Sequence, residues 1–184
     1  MAAKRALWTR THNSKDQVIR VAQNLGNVEA KIVIRRARPN ENNSVHALVQ
    51  AIADETFAYL FGPSQVPMGE PNWISAWVAI AGEEIIGVTM TQDEWVTDLW
   101  VRSDNRRRGI GAKLLEQAEL EVRSRGHETF RLRVVKSNIR AIQFYESRGW
   151  RVHREFAHEK FGHAMFEMRK SNRTIPTPSD TVSL

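Results

Sequence analysis

Residues 103–115 read SDNRRRGIGAKLL, and no other stretch of this 184-residue chain limits its fold so closely. A strand-like run, EWVTDLWV (94–101), leads into it, and a helical pattern leads out. Glycines one residue apart, Gly109 and Gly111, cost backbone entropy inside a helix, so they mark its start. From there Ile110, Leu114, Ala118 and Val122 recur every four residues and form one apolar stripe that must be buried. The spacing predicts a helix from about Gly109 to Arg125, stopped at Gly126. A strand, a short glycine loop and an amphipathic helix therefore follow one another here.

The same alternation extends in both directions. AKIVIRR reads as a strand. NNSVHALVQAIADETFAYLF reads as a helix capped by Ser44 or Asn43, with Val45, Leu48, Val49 and Ile52 at helical spacing. WISAWVAIA and EEIIGVTMTQ read as strands joined by a tight hairpin at Gly82-Glu83. Downstream, TFRLRVV is a strand and SNIRAIQFYESRGW a short helix with Asn138 as cap and Gly149 as stop. Two more strands fall near 150–156 and 163–169. The pattern describes a mixed αβ domain over residues 31–170. Ahead of it, 1–30 form an extension with one short helix between Ser14 and Gly26. The Ser-, Thr- and Pro-rich tail, 171–184, has little to bury and is expected to be disordered.

Composition narrows the classes of function. Apolar residues make up 41% and charged residues 26%, as in globular domains. No run of about 18 apolar residues offers a membrane span, and MAAKRALWTR lacks the apolar core of a signal peptide. The absence of cysteine excludes disulfides, thiolate metal sites and an acyl-carrying cysteine, and it fits a cytoplasmic location. A net charge of +6 suits an anionic partner, whether nucleic acid, anionic lipid or a phosphorylated cofactor.

The arginine–glycine loop points to the last of these. The first N–H groups of a helix have no intrahelical partner, and the macrodipole adds positive potential. Glycines at 109 and 111 admit an anion to the backbone, and Arg106, Arg107 and Arg108 add charge, which together make a phosphate or pyrophosphate cradle. The P-loop pattern fails, because Ala112-Lys113 follow the last glycine where Lys-Ser/Thr is needed. A dinucleotide fingerprint needs a glycine at 114, where Leu114 stands. What remains, Arg106-x-x-Gly109-x-Gly111, resembles the coenzyme A loop of the GNAT superfamily of N-acetyltransferases. A second stretch, NIRAIQFYESRGW, is similar to that family's Asn-x-x-Ala-x-x-Phe-Tyr-x-x-x-Gly-Phe/Trp signature, and it lies one strand further on, as the family order requires.

The resemblance covers roughly residues 31–170 and implies a mixed, mostly antiparallel sheet of about six or seven strands flanked by helices. It implies direct acetyl transfer from acetyl-coenzyme A to a primary amine, with no metal. Arg106, Arg107, Arg108, Gly109, Ile110, Gly111 and Ala112 would hold the pyrophosphate, and Leu99, Trp100 and Val101 the pantetheine arm. Asn138, Ala141 and Tyr145 share one helical face at the thiol end, with Tyr145 as proton donor to the sulfur. A common position for the family's catalytic glutamate falls on Trp95; an amine that arrives neutral needs no base, and if one acts it is sought among the nearby acids Asp93, Glu94 and Asp98. Strand alternation puts Glu94, Val96, Asp98 and Trp100 on one face, which makes Asp98 the first candidate and Glu94 the second.

Phe57, Tyr59, Phe61 and Trp73, beside a Gly/Pro loop, are candidates for an acceptor wall or for buried helix ends. The acceptor stays open among small amines, antibiotics, polyamines and protein amines, and a homodimer through sheet edges is an option in this family. His153, His158 and His163 recur every five residues, a spacing that puts them on one face of neither strand nor helix and argues against zinc. The rival from another class is a basic nucleic-acid-binding module, with Arg131 and Arg133 alternating on a strand; six tryptophans lying mostly in apolar runs speak against it. A catalytically silent coenzyme A-binding relative is a third reading.

Overall fold

The computed structural model describes residues 31–62, 66–69 and 72–172. The helix expected between Ser14 and Gly26 and the tail from residue 173 lie outside the described residues. The sheet has seven strands, ordered β1 (Ile32–Arg36), β2 (Trp77–Ala81), β3 (Glu84–Gln92), β4 (Trp95–Val101), β5 (Thr129–Val135), β7 (Ala164–Ser171) and β6 (Arg151–Ala157). Neighbours pair antiparallel except β4 and β5, which are parallel. Three α-helices are described: α1 (Asn42–Phe61), α2 (Ile110–Ser124) and α3 (Ile139–Glu146). Parallel neighbours require a crossover, and α2 supplies it, so the arginine–glycine loop opens a βαβ unit.

Each face of the sheet carries its own core. On one, Val45 and Val49 of α1 meet Val78, Ile80 and Val88 of the sheet. On the other, Ile110 and Leu114 of α2 meet Ala79 and Ile86. Further along that face, Leu115, Ala118 and Val122 join Phe130, Leu132, Trp150 and the α3 residues Ile142 and Tyr145. The stripe read at every fourth residue of α2 is thus fully buried. Gly87 lets α2 come down on the sheet. A Cβ there would stand 3.0 Å from Leu114 Cδ1 and 3.0 Å from the Trp100 carbonyl oxygen.

Three local readings are corrected. Neither Ser44 nor Asn43 caps α1: a 3-10 turn, Pro39–Glu41, runs directly into it and makes Glu41 the N-cap. Pro39 starts that turn, and Glu41 fixes it by accepting from the Arg38 N–H at 2.8 Å and from Arg35 at 2.6 Å. Residues 73–76 are not strand. Trp73 is buried, its N–H donates to Asn42 Oδ1 at 2.7 Å, and Ala76 closes a turn on the Trp73 carbonyl at 3.0 Å. Third, Asp98 pairs with Met90 while Val96 pairs with Thr91, so Thr97 is an extra residue, a bulge in β4. One inserted residue reverses the alternation. Val96 accordingly packs with α2 and α3, while Trp100 packs on the α1 face, and the four residues expected on one face are split.

Candidate active site

The parallel pair is short. β4 and β5 are in register only at Trp95↔Arg131 and Val96↔Leu132, and beyond those positions the two strands no longer pair. A cleft of about 420 Å³ opens there, with Leu99, Trp100 and Val101 along one side. Arg102 donates its N–H to the Ile86 carbonyl at 3.0 Å. Hydrogen-bonding positions alternate along an antiparallel ladder, so Leu99 and Val101 direct their backbone groups away from β3, toward the opening. An edge of unpaired N–H and C=O groups between two strands is a template for an extended, amide-containing ligand.

At one end of this edge stands the start of α2. Gly109 is its N-cap, in the left-handed region at φ 77°, and no side chain caps the helix. The first helical hydrogen bond runs from the Lys113 N–H to the Gly109 carbonyl at 3.1 Å. The N–H groups of Ile110, Gly111 and Ala112 therefore have no acceptor one turn back, and all three residues line the cleft. The arginines divide the work. Arg106 donates from Nε to the Val101 carbonyl at 2.9 Å and lies 3.8 Å from Glu55, which ties the loop to the strand end. Arg107, at φ 61°, also faces the cleft; Arg108 is exposed and is not among its lining residues.

The opposite wall is α3. Asn138 caps it by accepting from the Ala141 N–H at 3.2 Å. Phe144 reaches across to Gly111, where a Cβ would stand 3.5 Å from its ring. Tyr145 forms the deep part of this wall, only 8% exposed, with its ring 5.3 Å from Phe144 and 6.0 Å from Trp150. Burial, and secondarily the charge of Asp98, push the phenol well above its ordinary pKa, which keeps its proton on.

The two carboxylates proposed as bases have different surroundings. Burial raises the pKa of Asp98, against hydrogen bonds from Trp100 and Thr97 that lower it; Trp100 Nε1 donates to Asp98 Oδ1 at 2.9 Å. Asp98 does not itself line the cleft, and it acts on Tyr145 through its charge. Glu94 is not brought to this site. Its carboxylate accepts from Arg131 Nη1 at 3.0 Å, and a bond from its own backbone N–H, together with Arg131, outweighs burial and lowers its pKa. Trp95 lies under two guanidinium groups, Arg131 at 4.1 Å and Arg133 at 4.8 Å.

The family model of the acetyltransferase (GNAT) domain matches residues 69–172, more than half of the chain. The chain belongs to the GNAT acetyltransferase family. The uncharacterized protein YxbD of Bacillus subtilis (strain 168) is 37% identical over 73 residues, 40% of this chain and 43% of YxbD, so the match spans less than half of that relative. The ribosomal-protein-S18-alanine N-acetyltransferase of Escherichia coli shares the fold with a TM-score of 0.56 and 20% identity, over 84% of this chain and 100% of its own. yncA of Salmonella typhimurium, solved with its cofactor acetyl-CoA, shares it with a TM-score of 0.59 and 16% identity, over 82% of this chain and 99% of its own. The mixed, mostly antiparallel sheet is thus the GNAT fold.

In this GNAT domain one cleft brings together Leu99, Trp100, Val101, Arg106, Arg107, Gly109, Ile110, Gly111, Ala112, Asn138, Ala141 and Tyr145. The aromatic residues near the end of α1 separate. Phe57 meets Trp100 edge-on at 6.2 Å, Tyr59 hydrogen-bonds Ser137 at 2.7 Å, and Phe61 packs on Phe161 at 5.1 Å, whereas Trp73 belongs to the core. Sequence reading missed Ile52 and Thr56 of α1 and Arg140, Phe144 and Arg148 around α3, all of which line the cleft. For the last three a signal existed: they are four residues apart, the spacing of a helical face.

Proposed function

We propose that this chain transfers an acetyl group from acetyl-coenzyme A directly to the neutral form of a primary amine. The observation that carries the proposal is the fork between β4 and β5, where a backbone edge at Leu99 and Val101 that β5 does not pair joins an anion cradle to a buried tyrosine. The residues fit that substrate. Helix N–H groups at Ile110, Gly111 and Ala112, with Arg107, suit a pyrophosphate. The edge at Leu99, Trp100 and Val101 suits a pantetheine arm, whose amides can complete the ladder. Bound acetyl-coenzyme A supplies an acetyl thioester and a thiolate leaving group.

The chain then has two tasks. An N–H from the β4 edge, Val101 foremost, donates to the thioester carbonyl as negative charge develops on its oxygen. As the amine nitrogen bonds to the carbonyl carbon and the carbon–sulfur bond breaks, Tyr145 donates its proton to the sulfur. Burial keeps the phenol protonated, so its O–H is available to the sulfur, although the raised pKa makes it a weaker acid than a free tyrosine. The proton lost by the amine leaves through water, toward Asp98, whose burial raises its basicity but which does not itself line the cleft, and water returns a proton to Tyr145. Glu94, held by Arg131, has no part in this scheme.

Tyr145→Phe tests the donor role. On the best amine from a panel, turnover should fall by about 10²-fold or more, while calorimetry gives an acetyl-coenzyme A Kd within about threefold of the unchanged protein. A rate equal to that of the unsubstituted chain would remove Tyr145 from the acid role.

A further inference from the structure

We infer that Arg140 and Arg148 form a seat for a phosphate monoester at the mouth of the cleft, and that it takes the 3′-phosphate of coenzyme A. This rests on the cofactor reading above. Both arginines line the cleft on the α3 side, across from the start of α2. Arg140, Phe144 and Arg148 follow one another at four-residue steps, a line along the outer edge of the wall whose deep part is Tyr145. Tyr145 is buried, Arg148 half-buried and Arg140 exposed, so the line lies toward solvent, where the nucleotide end of a ligand with its thiol at Tyr145 would project.

Arg148 is held without being neutralised. Its guanidinium lies 4.0 Å over the Phe144 ring, and Nη1 donates to the Phe144 carbonyl at 3.0 Å and to Ser147 Oγ at 2.8 Å. Among the described residues neither Arg140 nor Arg148 has a carboxylate partner, whereas Arg131, Arg154 and Arg169 all share one. Phe144 also touches the position of Gly111, so the stacked guanidinium adjoins the cradle. The pyrophosphate already has the helix N–H groups and Arg107. Two further cations facing them suit a second anionic group, and a phosphate monoester brings about −1.5 to −2 charges with oxygens that an arginine can bind in pairs.

The test is calorimetric titration of the full chain with coenzyme A and with 3′-dephospho-coenzyme A at one ionic strength. Coenzyme A should bind at least about tenfold more tightly. In the double variant Arg140→Gln/Arg148→Gln that preference should vanish, through weaker coenzyme A binding, with 3′-dephospho-coenzyme A held within about threefold. Equal binding of the two ligands by the unsubstituted chain would overturn the seat and leave the cofactor reading standing. Loss of both ligands in the variant would also overturn it, by showing that the arginines support the wall itself. Binding of neither ligand to the unsubstituted chain would overturn the cofactor reading, and the seat with it.

Discussion

Glu167→Gln should destabilise the fold by about 3 kcal/mol. The Glu167 side chain is fully buried on β7 and accepts from three arginines: Arg131 of β5 at 2.9 Å, Arg154 of β6 at 2.8 Å and Arg169 at 2.6 Å. Removing one member of a buried ionic cluster costs about 3–5 kcal/mol, because the remaining charges lose their compensation. The lower end applies here. Arg131 keeps Glu94 and its stack on Trp95, and the side chains of Arg154 and Arg169 are 52% and 36% exposed, so they can turn to water. At about 2–4 °C per kcal/mol for a chain of this size, Tm should fall by roughly 6–12 °C in differential scanning calorimetry. Glu84→Gln, which removes a carboxylate 68% exposed and paired with Arg102, is the control and should cost under about 1 kcal/mol.

Acid adds a second signature. Burial alone would raise the Glu167 carboxyl, but hydrogen bonds from Arg154, Arg169 and Arg131 outweigh it and hold the pKa at about 2. A folded value below the unfolded one gives stability that is present above the ordinary carboxylate value of 4.5 and is lost as pH falls toward about 2. The gap between parent and variant should therefore narrow across that window. A Tm loss below about 2 °C at pH 7, or a gap that widens on acidification, would refute the reasoning.

Asp98→Asn should raise the denaturation midpoint at neutral pH. Burial raises the folded-state pKa of Asp98, so its charge works against the fold at neutral pH, and the gain should disappear once pH falls below the ordinary carboxylate value. The same variant should slow acetyl transfer if Asp98 receives the amine proton. Gly87→Ala should destabilise by about 1–3 kcal/mol in chemical denaturation, because its Cβ would meet both Leu114 and the Trp100 carbonyl at 3.0 Å, and backbone cannot give way as a side chain does.

Much of this arrangement was legible in the chain. β5 was read from its alternating pattern, and α2 was read from a stripe of four apolar residues that are all buried. The cap at Asn138 follows from side-chain chemistry confined to one turn, so it too could be read locally. What escaped depends on contacts between distant segments. Nothing in WVTDLWV marks Thr97 as the residue left out of the ladder; the bulge exists only relative to Met90 and Thr91 of β3, and it put Glu94 and Asp98 in different surroundings. Trp73 has the composition of a strand start, yet the Asn42 side chain pins its backbone into a turn. Arg140 and Arg148 fall at variable positions inside the family signature, which therefore does not mark them, and only the position of α3 across from α2 brings them to the cleft.

The central claim, that this cleft holds acetyl-coenzyme A, is tested most directly by calorimetric titration of the chain and of Gly109→Asp, each shown to be folded by its melting transition. Gly109 is the N-cap of α2; at φ 77° any side chain is strained, but apart from its chain neighbours no heavy atom lies within 4 Å of a Cβ placed there, so the new carboxylate stands beside the helix N–H groups and repels the pyrophosphate. The chain should bind with a Kd on the order of micromolar, and the variant at least about tenfold more weakly. Absence of binding by the folded chain, or a variant that binds as tightly as its parent, would contradict the claim.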